Sequence, residues 1–271
     1  MRGAAWFRRK VTPEPMTGDT RMLTPRWLRR LGDELHAVAH PFLARHLSSP
    51  RSEGVRAAID AFLDAYPRRP VGDNRGGSGF HNCFWLYLVA SCMEPDLIIE
   101  SGVWKGQTAW LFRRACPRAT ILCFDPNLAR LAYRDASIRY YEHDWETFRF
   151  GSVDATRSLC FFDDHVNQAR RVREAYDRGF RTLLFDDDPP VHKLFSFGYP
   201  GTLTTAMLVD SELRSGDVVE WVWRGEPRRY ISEPDRLGAR ALITLHELFP
   251  DVSSISQFEG YTFLTWVGLK P

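Results

Sequence analysis

Five carboxylates and a histidine stand out because of where they fall. Two short apolar runs end in "DDH" (Asp163, Asp164, His165) and in "DDDPP" (Asp186, Asp187 and Asp188, with two prolines stopping the chain). Like charges crowded together cannot all stay ionised without compensation. If the two runs are neighbouring strands, their acids meet at one rim. A divalent cation such as Mg²⁺, which favours oxygen ligands, is the simplest compensation. His165 titrates near neutral pH and is placed to act as a general base. Structural uses of the same residues remain open: Asp163 or Asp164 as the N-cap of a helix starting near Val166, Asp188 as a turn residue, His165 as a group that orients an aspartate.

A second group lies upstream. The run "DLIIE" leads into "SGVWKGQT", which places Glu100, Gly102 and Gly106 at the end of a strand. Glycines there let the backbone approach a ligand closely, and the helix that follows offers free N–H groups. The spacing is not the G-x-G-x-x-G of a dinucleotide site. The next strand ends at Asp125 in "ILCFDPN", 25 residues after Glu100, where an acid can accept from both hydroxyls of a ribose. A third ends in "EHDWE", with Asp144 and Trp145.

From residue 96 onward strands and helices alternate, which calls for a parallel sheet with helices on both faces. The expected strands are "DLIIES", "TILCFD", "IRYYEHD", "LCFFDD" and "RTLLFDDD". Helices are expected over Thr108 to Cys116, "LARLAYRD", "VNQARRVREAYDRG" and "ALITLHELFP". "SSISQFEG" and "YTFLTWVGL" are expected to form a terminal hairpin that turns near Glu259–Gly260. Upstream, residues 1–20 read as a poorly ordered arm and 21–95 as a helical cap, with Pro41 kinking or splitting its first helix. Residues 96–271 form the α/β domain, in which 189–240 is an insertion with extra strands and exposed Trp221 and Trp223. That insertion shapes either a substrate pocket or a homodimer contact. The loop "NRGGSG" before the third helix is a linker or a flap over the site.

In this order of motifs the chain resembles the class I S-adenosylmethionine (SAM) methyltransferases, whose first motif is an acid followed by Gly-x-x-x-Gly. The resemblance implies a Rossmann-like sheet, mostly parallel, with an antiparallel terminal hairpin. It also implies SAM held by Glu100, Gly102, Gly106 and Asp125, with Asp144 and Trp145 near the adenine. The aspartates narrow it to the metal-dependent small-molecule O-methyltransferases of the catechol and macrocin types and the related cephalosporin hydroxylase-like proteins. Carried over from these, the metal ligands are Asp163, Asp186 and Asp187, with Asp164 and Asp188 as neighbours or substitutes. The catechol-type enzymes place a Lys after the first metal-binding Asp; "DDHVNQ" has none, which leaves His165 as the base. The implied activity is methyl transfer to a hydroxyl of a small molecule of natural-product or sugar type. A non-methylating enzyme of the same fold, an RNA methyltransferase and a non-catalytic binding protein are the alternatives.

Composition sets the outer limits. A chain of 271 residues with 44% hydrophobic and 26% charged residues can bury a full core. A formal net charge of +2 argues against a nucleic-acid or membrane-surface partner, although residues 1–56 carry 11 Lys/Arg against 5 Asp/Glu. The 5 cysteines show no CxxC spacing and read as core residues of a cytoplasmic protein.

Overall fold

The computed structural model describes residues 25–47, 50–194, 200–232, 238–258 and 263–271. The expected arm at 1–20 and the turn at Glu259–Gly260 lie outside the described residues. Seven strands form one sheet: β1 Leu97–Ser101, β2 Thr120–Phe124, β3 Ile138–Tyr141, β4 Ser158–Phe162, β5 Thr182–Phe185, β8 Ile243–Leu248 and β9 Thr265–Leu269. Their spatial order is β3-β2-β1-β4-β5-β9-β8. The first five run parallel, while β9 pairs antiparallel with β5 and with β8. This is the expected Rossmann-like α/β fold. Strand order reverses between β1 and β4, so the crevice beyond their carboxyl ends is the natural ligand position.

The central strands are continuous apolar runs because both faces of the sheet are covered. Their side chains alternate between two cores. Ile98, Ile121, Leu159, Phe161, Leu184 and Trp266 pack towards one face. Ile99, Leu122, Cys160, Phe162, Phe185 and Val267 pack towards the other. Four helices, α1 Pro25–His46, α2 Ser52–Ala65, α3 Phe80–Met93 and α4 Gln107–Ala115, contribute to the first core. Nearly every residue of α3 is buried, as expected of a helix apolar all round. Helix α5, Gln168–Asp177, covers the second face through Ala169, Val172 and Ala175, and the side chain of Asn167 caps its start. Pro41 lies inside α1 without splitting it.

Several expectations are corrected. In "ALITLHELFP" only Ala241 and Leu242 are helical, as the end of the short helix Ala239–Leu242; Ile243–Leu248 is β8. A short apolar run fits either period, and pairing with β9 decides it here. The described part of "SSISQFEG", residues 253–258, contributes no strand, and Ser253–Ser256 is a short helix. "LARLAYRD" keeps only a 3₁₀ turn, Leu128–Arg130. The insertion does hold two further strands, β6 Val218–Trp223 and β7 Glu226–Ile231, paired antiparallel. Trp221, expected to be exposed, is buried and donates to the Pro200 carbonyl (2.6 Å). In β6 it alternates with exposed Glu220 and Val222.

Trp85 on α3 is one anchor of the helical layer. It is 1% exposed, lies against the rings of Phe42, Phe84 and Phe249, and donates its indole N–H to the Pro250 carbonyl (3.0 Å). Trp85→Ala is expected to lower stability by about 3–5 kcal/mol, read as a lower urea midpoint with an unchanged slope.

Candidate active site

The crevice is built where β1 meets β4. Asp163 N–H continues the ladder to the Ser101 carbonyl (2.8 Å), and Gly102 passes directly beneath it. A Cβ at Gly102 would stand 2.2 Å from the Asp163 carbonyl oxygen, and the residue holds φ +93°. Only glycine fits both demands. Gly106 (φ +85°) plays the same part against the Tyr133 carbonyl, 2.7 Å from its Cβ position. Both glycines of the first motif are therefore needed by the chain's own backbone: Gly102 brings the β1 loop against the acidic end of β4, and Gly106 brings it against the segment after β2.

Asp125 fixes that loop. One oxygen of its carboxylate accepts from the amides of Val103 (2.9 Å) and Trp104 (3.2 Å), the other from Asn127 (2.8 Å). The side remains half-buried, at the end of β2. The loop before α3 closes over Trp104, whose indole N–H donates to the Arg75 carbonyl (3.2 Å). Glu100 is fully buried and accepts from the Thr108 hydroxyl and from Cys123 Sγ (3.2 Å). Burial pushes its carboxyl up to about 7. Trp145 is enclosed among Phe150, Phe162 and Phe180 and donates to Glu174 (2.9 Å). The structure thus leaves Asp125 and Asp144 at the rim, and Glu100 and Trp145 inside.

The carboxylates at the rim fall into two classes. Asp164 accepts from Ser101 Oγ (2.6 Å), Arg171 Nε (2.9 Å) and the Val166 amide (3.1 Å). Asp188 accepts from Thr205 Oγ1 (2.6 Å), the Ala206 amide (2.7 Å) and His246 Nε2 (3.0 Å). Burial alone would raise the Asp188 pKa, but these donors hold it below its ordinary value. Asp163 and Asp187 differ. Burial, together with the neighbouring Asp186, pushes both carboxyls well above the usual range. Donor atoms of Asp163, His165 and Asp187 all lie within 4.8 Å of one another. Asp186, expected as a ligand, is buried beside this group and accepts from the Asp187 amide (2.8 Å).

His165 (φ +54°) and Asp187 (φ +52°) both hold left-handed backbone conformations. Such strain in a non-glycine residue costs about 1–3 kcal/mol and concentrates at functional sites. His165 Nδ1 stands 3.6 Å from Asp187 Oδ2. Burial lowers the imidazole pKa, which favours the neutral form near pH 7. A small pocket opens here, lined among others by Asp163, His165, Asp186, Pro200, Gly201 and Thr202. Its far wall thus comes from the insertion.

Arg171 was not anticipated from the sequence. Its side chain, 1% exposed, binds Asp164, Glu174 (2.7 Å) and both oxygens of Asp144 (3.0 and 2.6 Å). It ties the ends of β3 and β4 together behind the pocket. The available signal was weak: in "QARRVRE" nothing but helical phase separates buried Arg171 from Arg170.

No family model matches the chain, and no curated protein matches it in sequence. Solved structures are similar to it. The S-adenosylhomocysteine-bound methyltransferase PaMTH1 of Podospora anserina is 14% identical, covering 88% of this chain and 97% of that one, with a TM-score of 0.42. CmcI with Mg and SAM is 17% identical over 49% of this chain and 68% of that one, with a TM-score of 0.36. A methyltransferase from Geobacter sulfurreducens is 18% identical over 55% and 77%, with a TM-score of 0.36. No helix among the described residues is long and apolar enough to cross a membrane.

The two classes of aspartate predict opposite behaviour in metal-free protein. Asp163→Asn relieves like-charge repulsion and is expected to raise stability by about 1–2 kcal/mol. Asp188→Asn weakens three charge-assisted hydrogen bonds and is expected to lower it by about 3 kcal/mol. Urea denaturation in EDTA reads both, and equal effects would mean that the classes are not distinct. Glu100 sets a pH dependence. Because it binds its proton more tightly folded than unfolded, stability falls as pH rises from the ordinary value of 4.5 to about 7. Unfolding midpoints between pH 4 and 8 should show that fall, and Glu100→Gln should flatten it.

Proposed function

We propose that the chain is a SAM-dependent, divalent-cation-assisted O-methyltransferase acting on a small hydroxylated molecule. One observation carries this: Asp163 and Asp187, which form no ion pair with a lysine or arginine among the described residues, bring carboxylate oxygens within 4.8 Å of each other and of a His165 ring nitrogen, at the ends of the neighbouring strands β4 and β5. Asp163 lies against the glycine loop that follows β1.

The residues present fit both implied groups. Two carboxylates in reach of one point, with a third close by, suit a hard divalent cation such as Mg²⁺. The Asp125 carboxylate, half-buried at the end of β2, keeps one of its roughly four lone-pair sites for a ribose hydroxyl after its three backbone contacts are made. Asp144 is partly exposed at the end of β3, while Trp145 has no free face for an adenine. When bound, the cation supplies Lewis acidity that lowers the pKa of a substrate hydroxyl, and SAM supplies the methyl group. The chain's own residues do the rest. Asp163 and Asp187 fix the position of the hydroxyl oxygen. His165 Nδ1 or Nε2, neutral before reaction, takes the hydroxyl proton and becomes imidazolium beside Asp187, which stabilises it. Arg171 holds the ends of β3 and β4 in register so that nucleoside and hydroxyl meet at a fixed distance. The 200–202 segment and Trp223 exclude water from the other side.

Calorimetric titration of metal-stripped protein with SAM, then with Mg²⁺ and a panel of hydroxylated compounds, tests the whole reading. SAM binding at micromolar level and a product heavier by one methylene are expected. No SAM affinity under any condition would remove the proposed activity, and full turnover in excess EDTA would remove the cation. His165→Ala should reduce turnover about 100-fold or more at unchanged SAM affinity. Loss of Mg²⁺ affinity in that variant would instead make His165 a ligand.

A further inference from the structure

One side chain joins the pocket's far wall to the turn that carries Asp187. Gln168, the first residue of α5, is 7% exposed and lines the pocket together with Asp186 and the 200–202 segment. Its Nε2 donates to the Asp186 carbonyl (3.1 Å), and its Oε1 accepts from the Thr205 amide (2.7 Å). Its own backbone N–H, which has no partner within the helix at this position, donates to the Leu203 carbonyl (3.0 Å). A primary amide carries both a donor and an acceptor. Here the donor holds the end of β5, and the acceptor holds the chain that has just left the pocket wall.

What Gln168 holds at β5 is the peptide between Asp186 and Asp187. The N–H of that peptide donates to the Asp186 carboxylate (2.8 Å), a bond internal to the turn. Its carbonyl is tied to the body by Gln168. The next peptide is fixed as well: the Asp188 N–H donates to the Phe263 carbonyl (3.1 Å), and the Asp188 carboxylate is held by Thr205 and Ala206. A residue's φ and ψ are set by the two peptide planes that flank it. Asp187 therefore keeps its left-handed φ of +52°, a conformation that a non-glycine residue leaves unless its surroundings enforce it.

We propose that Gln168 is a positioning residue for the cation: it keeps the Asp187 carboxylate beside Asp163, and it makes the cation turn and the pocket wall one mechanical unit. The inference rests on Asp163 and Asp187 being the cation site. Released from Gln168, the peptide before Asp187 can rotate, φ can relax, and the carboxylate leaves the point that it shares with Asp163. Because the same amide holds Thr205, a cation that firms the turn also firms the wall, and a molecule seated against residues 200–202 bears on Asp187 in return.

Mn²⁺ affinity of the metal-stripped full-length protein, read from the electron paramagnetic resonance of the free ion, tests this without SAM or substrate. Gln168→Met, similar in size and equally suited to a helix, removes both amide bonds and is expected to weaken Mn²⁺ binding about tenfold. Val172→Ala truncates the buried core face of the same helix away from the rim and should leave that affinity unchanged. Gln168→Asn, too short to reach both partners, is read in the same way if Gln168→Met does not fold. Amide exchange supplies the second reading. In the wild type Mg²⁺ should slow exchange at Asp187 and at Thr205 together; in the Gln168 variants both amides should exchange faster and lose the response. Unchanged Mn²⁺ affinity in a Gln168 variant, an equal loss in Val172→Ala, or faster exchange at Thr205 alone overturns the proposal. A wild-type chain that binds no Mn²⁺ removes the cation site itself and the proposal with it, an outcome distinct from wild type and variant binding equally well.

Discussion

The guanidinium of Arg171 decides which charges at the rim are free. Completely enclosed behind α5, it neutralises Asp164 at the end of β4 and holds Asp144 at the end of β3 and Glu174 on its own helix. Burying a guanidinium is expensive unless every carboxylate around it is well placed, and removing one partner of such a group costs about 3–5 kcal/mol. The arrangement therefore fixes two strand ends at once. Asp188 is served separately by His246 and the Thr205–Ala206 turn. Asp164 and Asp188 are thus satisfied from within, whereas Asp163 and Asp187 stand beside buried Asp186 with no lysine or arginine ion pair among the described residues. Their spacing suits a cation from outside. A protein that merely tolerated acids at its strand ends would gain by pairing these two as well.

Backbone strain follows the same boundary. His165 and Asp187 hold positive φ on either side of the pocket, each immediately beyond a strand whose inward residues are completely buried. Phe161 and Phe162 before the first, and Leu184 and Phe185 before the second, anchor those turns in both cores at once. The two-sided burial of the sheet is what keeps strained residues in place. Gly102 completes the constraint from the β1 side: its missing Cβ lets the glycine loop lie against Asp163, so that a nucleoside and a cation-bound hydroxyl would occupy one continuous crevice.

Much of this was legible in the sequence. Continuous apolar runs ending in acids marked β1, β2, β4 and β5, and their alternation with helices specified a parallel sheet. That the acids of the two runs meet at one rim followed if the runs were neighbours, and β4 and β5 are; which of them group together did not. What escaped was whatever depends on partners far away in the chain. "ITLHEL" carries no decisive periodicity, and only β9 makes it a strand. Asp163 and Asp164 are indistinguishable in sequence; Ser101 and Arg171 separate them. Trp145 follows the end of β3 as an adenine contact would, yet its indole finds Glu174 and the Phe150–Phe180 cluster beneath the sheet. Glu100 heads the glycine motif, yet strand alternation turns its carboxyl towards α4 and Thr108.

The insertion illustrates the limit most clearly. Its "WVW" pattern alternates, so Trp221 and Trp223 fall on one face of β6, but alternation cannot say what that face meets. The structure brings it against residues 200–202: Trp221 by a hydrogen bond to Pro200, Trp223 by contact with Gly201. Those residues line the pocket opposite Asp163 and His165. The acidic wall comes from the sheet that defines the fold, and the opposite wall from residues 200–202, which the β6–β7 hairpin backs through Trp221 and Trp223. A surface hairpin tolerates substitution where a buried strand end does not, so the wall that it backs can change without disturbing the core.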